Sequence, residues 1–176
     1  ASNSQAEMAG GNSFDMNSLF PANELLRVTA LHDYGVLDTA KEESFDELTR
    51  LLAQVCHAPI ATIGFIDSHR QWNKSEVGIE VGEIPRAQSI CAQTILSERG
   101  IVVEDCLKDP RFRNSPLVAE PYKIRFYAGA PITNAEGLTV GTVAIMDTQP
   151  RALTPAASES LHTIARQVAM HLALRR

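Results

Sequence analysis

Two apolar runs, KIRFYAGAPI (123–132) and LTVGTVAIMD (138–147), are joined by the short polar segment NAEG. That link has the composition of a hairpin turn, so the second run folds back beside the first. A second pair, IATIGFID (60–67) and QWNKSEVG (71–78), repeats the arrangement across Ser68 and His69. Its first member is apolar and β-branched, as in a strand buried on both faces; its second alternates and reads as more exposed. Strands joined by hairpins make a mainly antiparallel sheet.

Helices flank these strands. Asn23 to Tyr34 reads as a helix with Asn23 as N-cap, Gly35 just past its end, and Leu25, Leu26, Val28, Leu31 and Tyr34 as a broad apolar side. A second helix is predicted from Thr39, which with Glu42 has the spacing of a capping box. Phe45, Leu48, Leu52 and Val55 carry its period, and it ends near His57, ahead of Pro59. Residues 78–88 read as a loop, 89–100 as a short helix stopped by Gly100, 101–105 as a short strand, and 107–118 as a loop with one helical turn. Thr154 caps a last helix with Pro155 in its first turn and a stripe of Leu161, Ile164, Val168 and Leu172. Ala157, Ala165 and Ala169 are expected on its far side, where they would admit a second helix. This order predicts an α+β domain. Terminal helices cover one sheet face, and short helices and loops cover the other.

The stretch RFYAGAPI sets a cation and a phenol beside three very small side chains. Alternate strand residues share a face, so Phe126, Ala128 and Ala130 lie on one side and Arg125, Tyr127 and Gly129 on the other. The first set suits close approach of the terminal helices. The second suits a pocket, with Gly129 leaving room and Tyr127 offering a polar tip. Arg125 then needs a carboxylate, Asp105 first among them, or an anionic ligand. The plainer alternative is that Arg125 reaches solvent and Tyr127 is ordinary core.

A net charge of −5 argues against a general nucleic-acid binder. No run approaches a membrane span and no secretory core is visible, so a cytoplasmic protein is expected. Cys56, Cys91 and Cys106 are scattered, without a CxxC pair, and read as small hydrophobes, not zinc ligands or a disulfide framework. Residues 1–21, rich in Ser, Asn, Gly and Ala, read as a tag remnant or flexible linker, leaving 22–176 as one domain.

Several segments, in this order, resemble the GAF domains of bacterial histidine kinases, diguanylate cyclases and similar signalling proteins. They are GVLDTAKEESFDELTRLLAQVCHAPIATIGFID, RQWNKSEVG, PRAQSICAQTI, VVEDCLKDPRF, IRFYAGAPI and GLTVGTVAIMDTQPRAL. The resemblance implies a central sheet of about six strands and a small-molecule pocket between the sheet and the connection leading to Lys123. It also implies a non-catalytic sensory role, homodimerisation through the terminal helices and an output domain in the full-length protein. Expected ligand contacts are Phe65, Trp72, Ser89, Cys91, Asp105, Arg125, Tyr127 and Gly129. The ligand and any cofactor stay unassigned, and no metal ligands are expected. Two alternatives stay open: a cysteine-dependent enzyme like the free methionine sulfoxide reductases, and a ligand-free dimerisation module.

The remaining candidates are weaker. Cys91 stands near a helix N-terminus, where a thiol pKa can fall. Yet the loop IPRAQSIC lacks the glycine-rich context of the reductases, and KIRFYAG has no cysteine. Cys56-His57 matches a bilin-attachment dipeptide at the wrong place in the chain. The five histidines show no metal-like spacing. Asp109, Arg111 and Phe112 read as organisers of a covering loop, and Trp72 as either a pocket wall or a cover for the sheet edge.

Overall fold

The computed structural model describes residues 20–175, so the linker assigned to residues 1–21 lies almost wholly outside the described residues. The chain forms α1 (Glu24–Asp33), α2 (Glu43–Val55), β1 (Ile60–Ile66), β2 (Arg70–Val77), β3 (Glu83–Pro85), α3 (Ile90–Thr94), β4 (Ile101–Val103), β5 (Phe126–Thr133), β6 (Thr139–Asp147) and α4 (Pro155–Ala173). Short 3-10 turns lie at Arg86–Gln88 and Cys106–Lys108. The six strands make one sheet in the order β3-β2-β1-β6-β5-β4, antiparallel at every pairing. The α+β antiparallel architecture expected from the hairpins is the one observed.

β1 is buried along its whole length because both faces are covered. On the first face, Ala61, Ile63, Phe65, Phe126, Ala128, Ala130 and Val143 pack beneath the helices, against Leu31, Phe45, Leu52, Leu161, Ile164 and Val168. The Phe-Ala-Ala side of β5 therefore meets the terminal helices as read from its alternation. On the second face, Ile66, Tyr127, Ala144 and Met146 pack beneath α3 and the long connections, against Ile90, Cys91, Phe112, Leu117 and Val118. Asp109 pairs with Arg111, and Phe112 is buried, so that loop is organised as expected.

A bulge decides what β2 sends to each face. Ser75 stands opposite Ile63 and Asn73 opposite Gly64, so Lys74 has no partner across the pair. Lys74 and Ser75 both reach the first face. There Ser75 donates to Asp46 at 2.6 Å, and the Lys74 ammonium meets Thr39 Oγ1 at 2.7 Å and the Ala40 carbonyl at 2.6 Å. It also pairs with Glu42. Gln71 and Asn73 are sent to the second face.

That buried ammonium corrects the capping box. Thr39 donates to the Val36 carbonyl and accepts from Lys74, while Glu42 pairs with Lys74 and Arg175. Neither side chain caps α2, which starts at Glu43. Three further expectations change. β3 forms inside the predicted 78–88 loop, and α3 stops at Thr94, well before Gly100. Ala157 and Ala165 are buried with the stripe of α4, and Ala169 packs against the same core. Their smallness lets α4 sit tightly within its own chain. The Thr154 cap, accepting from the Ala157 amide, and the turn of Gly35 (φ +63°) are as read from the sequence.

A Cβ at Gly141 would lie 2.2 Å from the Gly64 carbonyl oxygen, a backbone atom of the central strand. No side-chain movement relieves that clash. Gly141→Ala is expected to lower stability by about 1–3 kcal/mol, read as a drop in the urea midpoint at unchanged slope.

Candidate functional site

A line of polar side chains runs across the second face, where an antiparallel sheet ordinarily buries apolar ones. It begins at Glu76, whose Oε2 accepts from the Val81 amide (2.9 Å), the Gly82 amide (3.0 Å) and Asn73 Nδ2 (3.0 Å). Asn73 Oδ1 accepts from Gln71 Nε2 at 2.8 Å, and Gln71 Oε1 accepts from the Ser89 hydroxyl at 2.5 Å. Ser89 in turn caps α3, its Oγ accepting from the Ala92 amide at 2.9 Å. A single relay thus ties the connection after β2 to the first turn of α3.

The relay lies over Gly64. A Cβ there would sit 2.6 Å from Asn73 Oδ1 and 3.3 Å from Gln71 Nε2, so the two amides occupy space that any other residue would fill. Gly64 pairs with Thr142 of β6, and Thr62 lies two residues back on the same face. The hydroxyls of Thr62 and Thr142 are buried, and neither has a hydrogen-bond partner among the described residues. Such a group ordinarily costs about 1–3 kcal/mol if left unsatisfied.

Beside them stand Cys91 and Tyr127. The Tyr127 hydroxyl meets Thr94 Oγ1 at 2.8 Å and Cys91 Sγ at 3.1 Å, with no exposed surface left on the residue. Burial pushes the Cys91 thiol pKa up, and the polar groups around it offset that only in part. Burial, reinforced by Cys91, likewise raises the Tyr127 phenol well above its usual value. Both groups are neutral at pH 7. The lowered pKa that a helix N-terminus can give a thiol is not found at Cys91, because desolvation of the thiolate outweighs anything a five-residue helix supplies.

Of the residues expected to contact a ligand, Ser89, Cys91, Tyr127 and Gly129 are brought together here. Gly129 has a different use from the one expected. A Cβ on it would lie 2.4 Å from the Tyr127 hydroxyl, so its smallness makes room for that phenol. Arg125 precedes β5 and donates to the carbonyls of Val118 (2.8 Å) and Ile124 (3.0 Å). Asp105 is not its partner; it caps the turn at Cys106 by accepting from the Leu107 amide at 3.1 Å. Phe65 and Trp72 pair across β1 and β2 on the first face, under the helices, and leave the candidate site. Trp72 covers no sheet edge either, since β3 lies outside β2.

Sequence reading missed Thr62, Gly64, Gln71, Asn73, Glu76 and Thr142. Gly64 inside a β-branched strand and lone threonines in two apolar strands were the available signals. The sides taken by Gln71 and Asn73 hinge on the bulge, which leaves no mark in the sequence. A groove of about 840 Å³ lies elsewhere, between β4 and residues 150–152. Two of its cations are already paired, Arg111 with Asp109 in the groove and Arg151 with Asp147 beside it.

A second polar cluster joins the covering segment to α1. Arg27, fully buried, donates to Glu24 (2.7 and 2.9 Å) and to the Ile66 carbonyl (2.6 Å). Arg86 also pairs with Glu24 and donates to the Asp67 carbonyl at 3.0 Å. Burial alone would raise the Glu24 pKa, but hydrogen bonds from the two guanidiniums outweigh it and hold the carboxyl below its usual value.

The architecture and the layered faces match one family. Its profile, described as the GAF domain, covers residues 41–172, and the chain belongs to that family. A cyclic di-GMP phosphodiesterase of Pseudomonas aeruginosa is 37% identical over 132 residues, covering 75% of this chain and 22% of its own length. The chain thus spans about a fifth of that relative. A domain assigned to a two-component sensor histidine kinase of Sinorhizobium meliloti superposes with a TM-score of 0.59 at 16% identity, covering 77% of this chain and 93% of that one. The type II free methionine-R-sulfoxide reductase of Thermoplasma acidophilum gives 0.64 at 13% identity, covering 82% and 96%. At these identities the structures speak for the shared fold. GAF domains of this kind occur in bacterial signalling proteins, and among the described residues no helix is long and apolar enough to cross a membrane.

All three thiols are buried, and burial raises the pKa of each, that of Cys106 to about 11 with the help of Asp105 and Asp109. A raised folded pKa contributes stability below the unfolded value and loses it as pH climbs toward the folded one. Stability is therefore expected to fall from about pH 9 upward. In parallel, Ellman's reagent at pH 8 should react slowly with native protein and fully only in denaturant. Rapid modification of one thiol in the native state would contradict the burial described.

Proposed function

We propose that this chain is a non-catalytic sensory GAF module that binds a small molecule over Gly64. The seat lies between β1, β2 and β6 on one side and the covering segment 86–94 on the other. One observation carries the reading: two buried hydroxyls, Thr62 and Thr142, stand without partners beside a relay in which the other polar groups are paired. A ligand that satisfies them recovers the cost of their burial.

Ligand entry requires Gln71 and Asn73 to leave the space above Gly64. Gln71 holds Ser89, the cap of α3, and Arg86 three residues earlier is paired with Glu24 of α1. Loss of the Gln71–Ser89 bond thus acts on a segment already fastened to the first helix. The readout is a change in the packing of α1 and α4, which expose Leu25, Leu26 and Met170, with Leu174 just past α4, and so offer a homodimer surface. In a longer cytoplasmic protein, an output domain would receive that change.

The fold likeness to a methionine-R-sulfoxide reductase keeps an enzyme reading in view. Thiols held neutral by burial weigh against it, because the thiolate is the nucleophile in such chemistry.

Native mass spectrometry of freshly purified protein tests the seat. A retained small molecule is expected in wild type and absent from Thr142→Val and Thr62→Val. With no ligand present, both variants should be as stable as wild type or more stable by about 1 kcal/mol, since an unpaired buried hydroxyl is removed. Equal retention by wild type and both variants would place any ligand elsewhere.

A further inference from the structure

The groups that meet over Gly64 have a chemistry in common. Thr62 and Thr142 present hydroxyls, Gln71 and Asn73 primary amides, Ser89 a hydroxyl, and Tyr127 and Cys91 a neutral phenol and thiol. Each can both donate and accept. The single carboxylate at the end of the line, Glu76, has one oxygen occupied by three N–H donors.

Cations are held away from the seat. Arg86 pairs with Glu24, donates to the Asp67 carbonyl and lies over the Phe20 ring, with its buried Nε left without a partner, and Arg125 donates to two backbone carbonyls. The bulge turns Lys74 to the opposite face, where Glu42 receives it. Among the described residues, no ammonium or guanidinium forms a hydrogen bond with any group of the relay. A phosphate or carboxylate buried there would find no compensating charge, and the Glu76 carboxylate would add repulsion.

The relay also indicates which neutral groups fit. Gln71 and Asn73 already make an amide–amide contact at 2.8 Å in the space above Gly64. A molecule replacing them meets the Ser89 hydroxyl, until then a donor to the Gln71 carbonyl oxygen, at one end and the Glu76 carboxylate, until then an acceptor from the Asn73 amide, at the other. We infer that the seat takes a compact, uncharged molecule with an amide-type edge, a carbonyl beside an N–H, as in lactams, ureas and pyrimidine bases, and rejects anionic ligands such as nucleotides. This inference rests on the seat proposed above and narrows it to a ligand class.

The test compares two sets of probes on the whole chain by thermal shift and saturation-transfer NMR. Uracil, 2-pyrrolidinone and methylurea form the neutral set; inorganic phosphate, cytidine monophosphate and glutarate form the anionic set. At least one neutral probe is expected to bind, with affinity reduced about tenfold or more in Thr142→Val, equivalent to ~1.4 kcal/mol. Its affinity should change little between low and high salt, because no ion pair is involved. Thr62→Val serves as the second variant should Thr142→Val fold poorly. An anionic probe that binds and is lost in these variants would overturn the ligand class and leave the seat standing. Binding of no probe from either set that depends on Thr62 or Thr142 would overturn both.

Discussion

Strands β1 and β6 have no face in water, and the rest of the domain is arranged around that constraint. A polar atom on either strand must find a partner inside the protein, and so must any group that packs over it. The first face answers with apolar side chains and helices brought close by alanine. The second face carries Thr62, Gly64 and Thr142 at its centre, and polar side chains from β2 and α3 are drawn over them. Two hydroxyls are still left over, which is why the functional reading settles there and not in the larger groove beside β4.

The covalent neighbours of the sheet are tied to it by buried charge. Lys74 and Arg175 share Glu42, so the end of α4, the start of α2 and the bulge of β2 meet at one carboxylate. Arg27 and Arg86 share Glu24, so α1 and the segment entering α3 meet at another. Lys74, Arg27 and Arg86 are buried while the two carboxylates are partly exposed, so removing either carboxylate is costly because it strands a buried cation. The consequence of these pairs is geometric: each terminal helix is fastened to an element that borders a different face of the sheet.

The sequence made the fold legible through features that act locally. Hairpin links, the cap at Thr154, the turn at Gly35 and the β-branched run of β1 each depend on neighbouring residues, and each is observed. The face assignment of β5 also held, because alternation in a regular strand is fixed. Legibility ended where tertiary partners compete for a side chain. Glu42 left its capping role for a buried ammonium, and Asp105 turned to a local backbone amide, away from Arg125. Phe65 and Trp72 lie on the first face instead: Phe65 by the alternation it shares with Ala61 and Ile63 on β1, and Trp72 because the bulge sets its register, a feature with no sequence signature of its own. Ser89, Cys91, Tyr127 and Gly129 come near one another on the second face, where Gly129 makes room for the Tyr127 hydroxyl and Cys91 is a buried thiol.

In the proposed reading, the protein supplies its own occupant for the seat. Gln71 and Asn73 fill the space above Gly64 and satisfy each other, so the closed arrangement is a bound state with an internal ligand. An external molecule then gains only the difference between its contacts and those it displaces, which sets affinity below what the contact list alone suggests. The same exchange gives the signal its direction. A molecule that leaves Gln71 on Ser89 has equal affinity for both arrangements and shifts nothing, whatever its strength. Only one that takes the place of the Gln71 amide releases the Ser89 hydroxyl, and with it the fastening between the sheet and the segment that Arg86 joins to α1. Selectivity and signalling therefore rest on one hydrogen bond, the 2.5 Å contact between Ser89 and Gln71.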